Sequence, residues 1–223
     1  TDPQVIEKFG KQLAEVIANR LVREPRKPTL RMSNIGQPCE RKLWYELNQS
    51  EDAELLRAET YMKFLYGDLT EEIVLFLAEI AGHEVKGRQD ESEIQGIKGH
   101  RDCVIDGVLV DVKSASSYSF KKFKEHKLVD DDPFGYIAQL QSYLYAAQDD
   151  PIVSDKNRAA FLVLDKPLGH ITLDIHEKDT TNWPELYDQK KETVRSETPP
   201  ERAFQAEPFG KSGNEKLPMN CSY

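Results

Sequence analysis

The sequence predicts an α/β (α+β) fold: a mixed central β-sheet flanked by helices, with an N-terminal helical elaboration. Three observations predict it. Helical periodicity fills the chain before any strand signal, an Asp-Gly turn joins two short apolar runs, and a later helix precedes two more strand-like runs.

Residues 4–23 (QVIEKFGKQLAEVIANRLVR) place Val5, Phe9, Leu13, Ile17 and Leu21 four apart, which predicts a first helix. The EPRKPT stretch ends it, because proline cannot continue a helix. A second helix is expected from about Pro38 to Asn48, carrying CERKLWYEL. A third runs from about Glu59 to Ala81 and closes at Gly82. Its C-terminal half is apolar on most sides (Ile73, Val74, Leu75, Phe76, Leu77, Ile80) and is expected to be buried. His83 to Gly87 is a candidate first strand, followed by a polar connection and the hairpin GHRDCVIDGVLVDVK at 99–113.

SASSYSFKKFKEHKLVDDD reads as a polar, loop-like stretch with room for a short helix. Asp132-Pro133 then offers an N-cap and a first-turn proline for PFGYIAQLQSYLYAAQ, with Ile137, Leu140 and Leu144 as its core stripe. FLVLD (161–165) is a continuous apolar strand, HITLDIH (170–176) alternates, and a polar helix follows near 183–195. The expected division is an N-terminal helical region over 1–56 packing on the core, a core over 57–196, and a Pro/Gly-rich tail over 197–223. No internal repeat and no glycine-rich phosphate loop is present.

Hydrophobic residues make up 39% of the 223 and charged residues 31%, which places the chain among globular rather than disordered sequences. The formal net charge is −9, so any nucleic-acid contact must come from local basic patches rather than bulk attraction. No apolar run approaches the roughly 20 residues of a membrane span, and no membrane partner is expected. Three widely spaced cysteines argue for a reducing, cytoplasmic compartment. The first residue, Thr1, leads to the expectation of a processed or trimmed chain.

The hairpin poses the chemical question. If Asp106-Gly107 is a two-residue turn, Ile105 faces Val108, Val104 faces Leu109, and Asp102 falls opposite Asp111. His100, Asp102 and Val104 share one face, and His100 is expected opposite Lys113. Like charges directly opposite on a sheet are destabilising, and two carboxylates this close need a cation between them or a proton on one of them. A hard cation such as Mg²⁺ takes one or two carboxylates, water and phosphate oxygens, and a rim lysine would suit metal-assisted phosphodiester hydrolysis. The competing reading is a salt-bridged surface hairpin in which Lys113 neutralises the pair.

FKKFKEHK (120–127) interleaves Phe120 and Phe123 with Lys121, Lys122, Lys124 and Lys127, either as a groove for a DNA strand or as a solvated helix face. Arg41 and Lys42 are weaker candidates of the same kind.

These residues carry a family resemblance. Asp102 followed by Asp111-Val112-Lys113 resembles the D…(D/E)-x-K signature of the PD-(D/E)XK nucleases. Gln139 and Tyr143, four apart on one helix face, resemble the Q-x-x-x-Y motif of the RecB-like branch. Gly67-Asp68-Leu69-Thr70-Glu71-Glu72 resembles the branch's G-x-x-x-(H/E)-E helix, where several relatives carry His at the position of Glu71 and many phage enzymes carry Glu. The three motifs stand in the family's order within roughly residues 39–145.

The resemblance implies a restriction-endonuclease-like core and a Mg²⁺- or Mn²⁺-dependent DNA exonuclease. It makes Asp102, Asp111 and Glu71 metal ligands, with the Val112 carbonyl a further one, and gives Lys113 the attacking water. Periodicity does not choose between Glu71 and Glu72; the motif chooses Glu71. Gln139 and Tyr143 would orient the DNA backbone and the site's side chains, although packing or a solvated helix position also accounts for them. His100 would support the ligands or stand exposed.

PCERKLWYE (38–46) resembles the segment in which RecB-like relatives place the first cysteine of a [4Fe–4S] cluster. LPMNCSY reads like the opening of the C-terminal cysteine group that completes it. Four thiolates are needed. Cys39 and Cys221 are the candidates, and a cluster requires chain beyond Tyr223. The competing reading makes Cys39 a buried small apolar residue, and Cys103, on the hairpin's other face, belongs to the core.

The DDPFGYIAQLQSYLYA string looks more like phage exonucleases, which implies DNA degradation, recombination or genome processing in a bacterial or host cytoplasm. Expected partners are DNA ends and other recombination or replication proteins. Ring-shaped trimers occur among relatives, so a homo-oligomer is consistent with the resemblance. The alternatives are a DNA-end-trimming nuclease of a CRISPR adaptation complex and a non-catalytic DNA-binding scaffold with the same fold.

Overall fold

The structure is a computed structural model and describes residues 3–21, 28–53, 56–203, 205–210 and 213–216; Cys221 and the side chains of Ile17 and Leu21 lie outside the described residues. In chain order the elements are α1 (Pro3–Leu21), α2 (Glu40–Asn48), α3 (Ala58–Ile80), β1 (Val85–Lys86), β2 (Glu91–Ile94), β3 (Ile97–His100), β4 (Cys103–Ile105), β5 (Val108–Ala115), α4 (Ser117–Lys124), α5 (Tyr136–Ala146), β6 (Arg158–Asp165), β7 (Ile171–Glu177), α6 (Trp183–Arg195), β8 (Glu207–Phe209) and β9 (Asn214–Lys216). Among the described residues, no helix is long and apolar enough to cross a membrane.

A five-stranded sheet of order β1-β4-β5-β6-β7 forms the centre. β5 and β6 run parallel, and the other neighbours are antiparallel, so the sheet is mixed as expected. A parallel pair needs a crossover, and α4 and α5 supply it. They cover one face, where Phe120, Phe123, Leu140, Tyr143 and Leu144 meet Leu109, Ala159, Phe161 and Val163. On the other face Leu75 of α3 packs with Cys103, Val110 and Ala160.

The Asp106-Gly107 turn has the expected pairing: Ile105 faces Val108, Val104 faces Leu109 and Cys103 faces Val110. Asp106 (φ 49°) and Gly107 (φ 82°) are both left-handed, as a two-residue type I′ turn requires. A Cβ at Gly107 would lie 1.9 Å from Ser154 Oγ, so both conformation and space call for glycine.

Four expectations need correction. The connection before the hairpin is not featureless, because β2 and β3 form a second, separate two-stranded sheet. His100 belongs to it, opposite Glu91, and so does not face Lys113. The chain leaves the strand line at Arg101, which is buried and pairs with Asp90 and Asp150. A buried guanidinium must find its partners, and these lie away from the central sheet.

The second half of α3 is not buried all round: Val74 and Leu75 are, while Ile73, Phe76, Leu77 and Ile80 are exposed. α5 begins at Tyr136 because Gly135 is left-handed (φ 72°) and packs against Gly36; Asp132 Oδ2 still accepts from Ile137 N–H at 2.7 Å. β7 alternates as expected, and its inward-facing set is polar. Asp174 (3% exposed) and His176 (4%) point inward, whereas Leu173 (53%) and its neighbours Ile171 and Ile175 point outward.

Candidate active site

β5 carries the centre of the site. Side chains alternate along it, so Leu109, Asp111 and Lys113 point to the α4/α5 face, and Val112 points away. Asp111 is buried, and its two oxygens have different partners. Oδ2 accepts from Gln139 Nε2 at 2.9 Å, while Oδ1 forms an ion pair with Lys113 Nζ at 2.5 Å without an aligned hydrogen bond. Lys113 Nζ also lies 4.8 Å from the centre of the Tyr136 ring. Burial works against the lysine's charge, but Asp111 and Asp102 outweigh it and raise its pKa.

Asp102 stands just before β4, where the strand has not yet begun. Its Oδ2 accepts the Val112 backbone N–H at 2.7 Å, which fixes it against the strand bearing Asp111 and Lys113. Burial, with Asp111 adding to it, pushes the Asp102 carboxyl up to about 8. The two aspartates therefore do meet, Asp111 adding to the rise of the Asp102 pKa.

Glu71 enters from α3. Of the adjacent pair, Glu71 turns toward this cluster, and the more exposed Glu72 meets Arg88 at 3.4 Å. Gln89 joins Glu71 to Asp102: its Nε2 donates to Glu71 Oε1 at 2.7 Å and lies 3.5 Å from Asp102 Oδ1. Gln89 adopts a left-handed φ of 55°, and its N–H donates to the Asp102 carbonyl. Sequence reasoning missed it, since a glutamine in a polar connection matches no motif. Burial raises the Glu71 pKa despite the Gln89 hydrogen bond, helped by Glu72, Asp68 and Asp111.

Tyr143 lies one turn beyond Gln139 and is buried. Its hydroxyl donates to the His100 backbone carbonyl at 2.9 Å, so it ties α5 to the end of β3 rather than to a carboxylate. His100 contributes this carbonyl; its side chain is exposed.

A groove of about 100 Å³ runs from Lys113 past Ser114, Ser116 and Ser119 to Lys122 and Phe134. Phe120 and Phe123 are buried in the core, so the interleaving in FKKFKEHK is that of an amphipathic helix. The aromatic rings at this surface are instead Tyr118, with Lys122 Nζ 5.3 Å from its centre, and Phe134, both exposed. Lys122 pairs with Asp131 at 2.5 Å, Lys121 approaches Glu125 at 3.6 Å, and Lys124 is exposed.

Cys39 is buried and caps α2, its Sγ accepting from Lys42 N–H at 3.4 Å. Cys103 is in the core, where burial pushes its thiol up to about 12.

The oxygen donors Glu71, Asp102 and Asp111 suit a hard divalent cation. The raised Asp102 pKa marks a carboxylate that Lys113, paired with Asp111 at 2.5 Å, does not fully compensate. Gln89 bridges Glu71 and Asp102, and Gln139 and Lys113 both engage Asp111. Among the described residues only His126, Asp174 and His176 bring three ligand atoms within 4.8 Å of one another.

No family model matches the chain, and no curated protein matches it in sequence. Solved structures match it in shape. An alkaline exonuclease from Laribacter hongkongensis aligns with a TM-score of 0.51 at 15% identity, over 76% of this chain and 87% of that one. A phage-related exonuclease from Haemophilus somnus 129PT aligns with a TM-score of 0.45 at 18% identity, over 74% and 90%. The first likeness shows the fold: a mixed five-stranded sheet flanked by helices, the restriction-endonuclease-like arrangement.

Proposed function

We propose that this protein is a divalent-metal-dependent DNA exonuclease, phage-encoded and acting in DNA degradation, recombination or genome processing. One observation carries the reading. On a fold shared with an alkaline exonuclease, Asp111 and Lys113 flank Val112, whose N–H holds Asp102, while Glu71 reaches the same cluster through Gln89. A scaffold has no need of acids set against one another at this density.

In this reading Glu71, Asp102, Asp111 and the Val112 carbonyl hold Mg²⁺ or Mn²⁺. When bound, the cation supplies charge to the scissile phosphate and lowers the pKa of the attacking water. Lys113, steadied by Asp111 and the Tyr136 ring, places a positive charge where the phosphate becomes more negative. Gln139 orients Asp111 through its 2.9 Å hydrogen bond, and Tyr143 holds the β3 end from which Asp102 follows.

The groove from Lys113 to Lys122 gives a nucleic-acid strand a path from the site. Its serines are hydrogen-bond donors for phosphates, and the exposed rings of Tyr118 and Phe134 are platforms for bases. Lys121, Lys122 and Lys124 supply positive charge along α4.

The test is digestion of end-labelled single- and double-stranded DNA with Mg²⁺, Mn²⁺ or chelator. Mononucleotides released from labelled ends only in the presence of metal support the reading. No cleavage of either substrate under any metal condition overturns it, and internal fragments without mononucleotides overturn the exonuclease part.

A further inference from the structure

β7 presents polar side chains to the interior, against the usual sense of alternation. Asp174 pairs in register with Phe161 and His176 with Ala159, so both lie on the α4/α5 face of the sheet. A third residue reaches them from the end of α4. His126 is left-handed (φ 54°), and its N–H donates to the Phe123 carbonyl while that of Lys127 donates to the Lys122 carbonyl. This reversal brings the His126 ring against β7.

The three side chains form a compact group. His126 Nδ1 lies 2.6 Å from Asp174 Oδ1, and His176 Nε2 lies 3.0 Å from Asp174 Oδ2. The two imidazoles stack with centres 4.7 Å apart, and all three ligand atoms fall within 4.8 Å of one another. Asp174 Oδ2 and His176 Nε2 are buried, and neither has a hydrogen-bond partner among the described residues despite their separation. The two buried atoms face each other at ion-pair distance without hydrogen-bond geometry, an arrangement that a cation between them would satisfy.

We propose that His126, Asp174 and His176 bind one divalent transition-metal ion of the Zn²⁺ type, which pins the end of α4 to β7. Two imidazoles and one carboxylate favour Zn²⁺, Co²⁺ or Ni²⁺ over Mg²⁺, which prefers all-oxygen sites. Three protein ligands leave a position for water, and His126, with its side chain 55% exposed, provides the way in from solvent. The site is separate from the carboxylate cluster. Asp111, Phe161 and Asp174 lie in one row across β5, β6 and β7, which puts the two centres about two strand spacings, roughly 10 Å, apart. It stands whether or not the chain is a nuclease.

Co²⁺ titration of the full chain, followed by its visible absorption, tests this. The Asp111→Asn variant serves as background, so that the carboxylate cluster contributes little. Intense ligand-field bands saturating at one equivalent are expected, bleached by Zn²⁺ and untouched by excess Mg²⁺. His126→Ala, with the retained fold checked by circular dichroism, should weaken binding by at least about tenfold, since even loss of a group supporting a ligand costs that much. In the unmodified chain Zn²⁺ should raise Tm, and His126→Ala should abolish the rise. Absence of the bands overturns the proposal, as do bands and a Tm shift that survive His126→Ala unchanged.

Discussion

The backbone N–H of Val112 donates to Asp102 Oδ2 at 2.7 Å. The strand that aims Asp111 and Lys113 at one face thus also anchors the second aspartate, which sits before β4 and outside the regular ladder. Three groups are fixed by a single strand, and the consequences can be measured.

The first is a pH dependence of stability. In chelator the Asp102 pKa is raised to about 8, chiefly by burial and by Asp111, against about 3.9 in the unfolded chain. The folded state therefore holds a proton that the unfolded state has lost. The contribution is fully present below about pH 4 and disappears as pH rises through about 8. Urea unfolding should show stability falling over this window, by at most about 1.4 kcal/mol per pH unit for one proton. Glu71 shifts in the same direction, so the comparison is with Asp102→Asn, whose slope should be shallower. Parallel curves for the two proteins would contradict the assignment.

Tyr143 makes a second prediction. Its hydroxyl satisfies the His100 carbonyl, so Tyr143→Phe leaves that acceptor without its donor. The loss should be about 1–3 kcal/mol in denaturant unfolding. Unchanged stability combined with weakened DNA binding would instead make Tyr143 a contact to DNA.

Gln89 bridges Glu71 and Asp102 by offering both a donor. Gln89→Ala should lower the rate of metal-dependent DNA cleavage by roughly 10- to 100-fold, the range seen when a group supporting metal ligands is removed. Circular dichroism should show the fold retained. A rate equal to wild type would remove Gln89 from the site.

The turn of the hairpin can be tested without any assay of activity. Gly107→Ala forces a side chain into a left-handed conformation and against Ser154 Oγ. It should destabilise by roughly 1–3 kcal/mol, read as a lowered urea midpoint. A wild-type midpoint would mean that the turn relaxes freely.

How much of this was legible beforehand differs by element. The Asp106-Gly107 turn fixes its own register, so the meeting of Asp102 and Asp111 could be read from fifteen letters. Gln139 was legible because a four-residue spacing fixes a helix face. His100 was misplaced because alternation assumes a continuous strand, and the buried Arg101 breaks it. β7 shows a related limit: alternation gives the period of a strand but not which set faces inward, and here the inward set holds Asp174 and His176. The exposed flank of α3 has the same origin, since an apolar face does not say what covers it. Gln89 left no trace at all, for its role depends on a left-handed loop that brings two distant carboxylates to one amide.

The most direct test of the central claim is single-turnover cleavage of end-labelled DNA in Mg²⁺ by wild type, Asp111→Asn and Lys113→Ala. Both positions face the same side of β5, paired at 2.5 Å. The expected result is metal-dependent release of labelled ends by wild type and a loss of about 100-fold or more in each variant, the range for removing a group that stabilises transition-state charge. Cleavage by both variants at the wild-type rate would contradict the account.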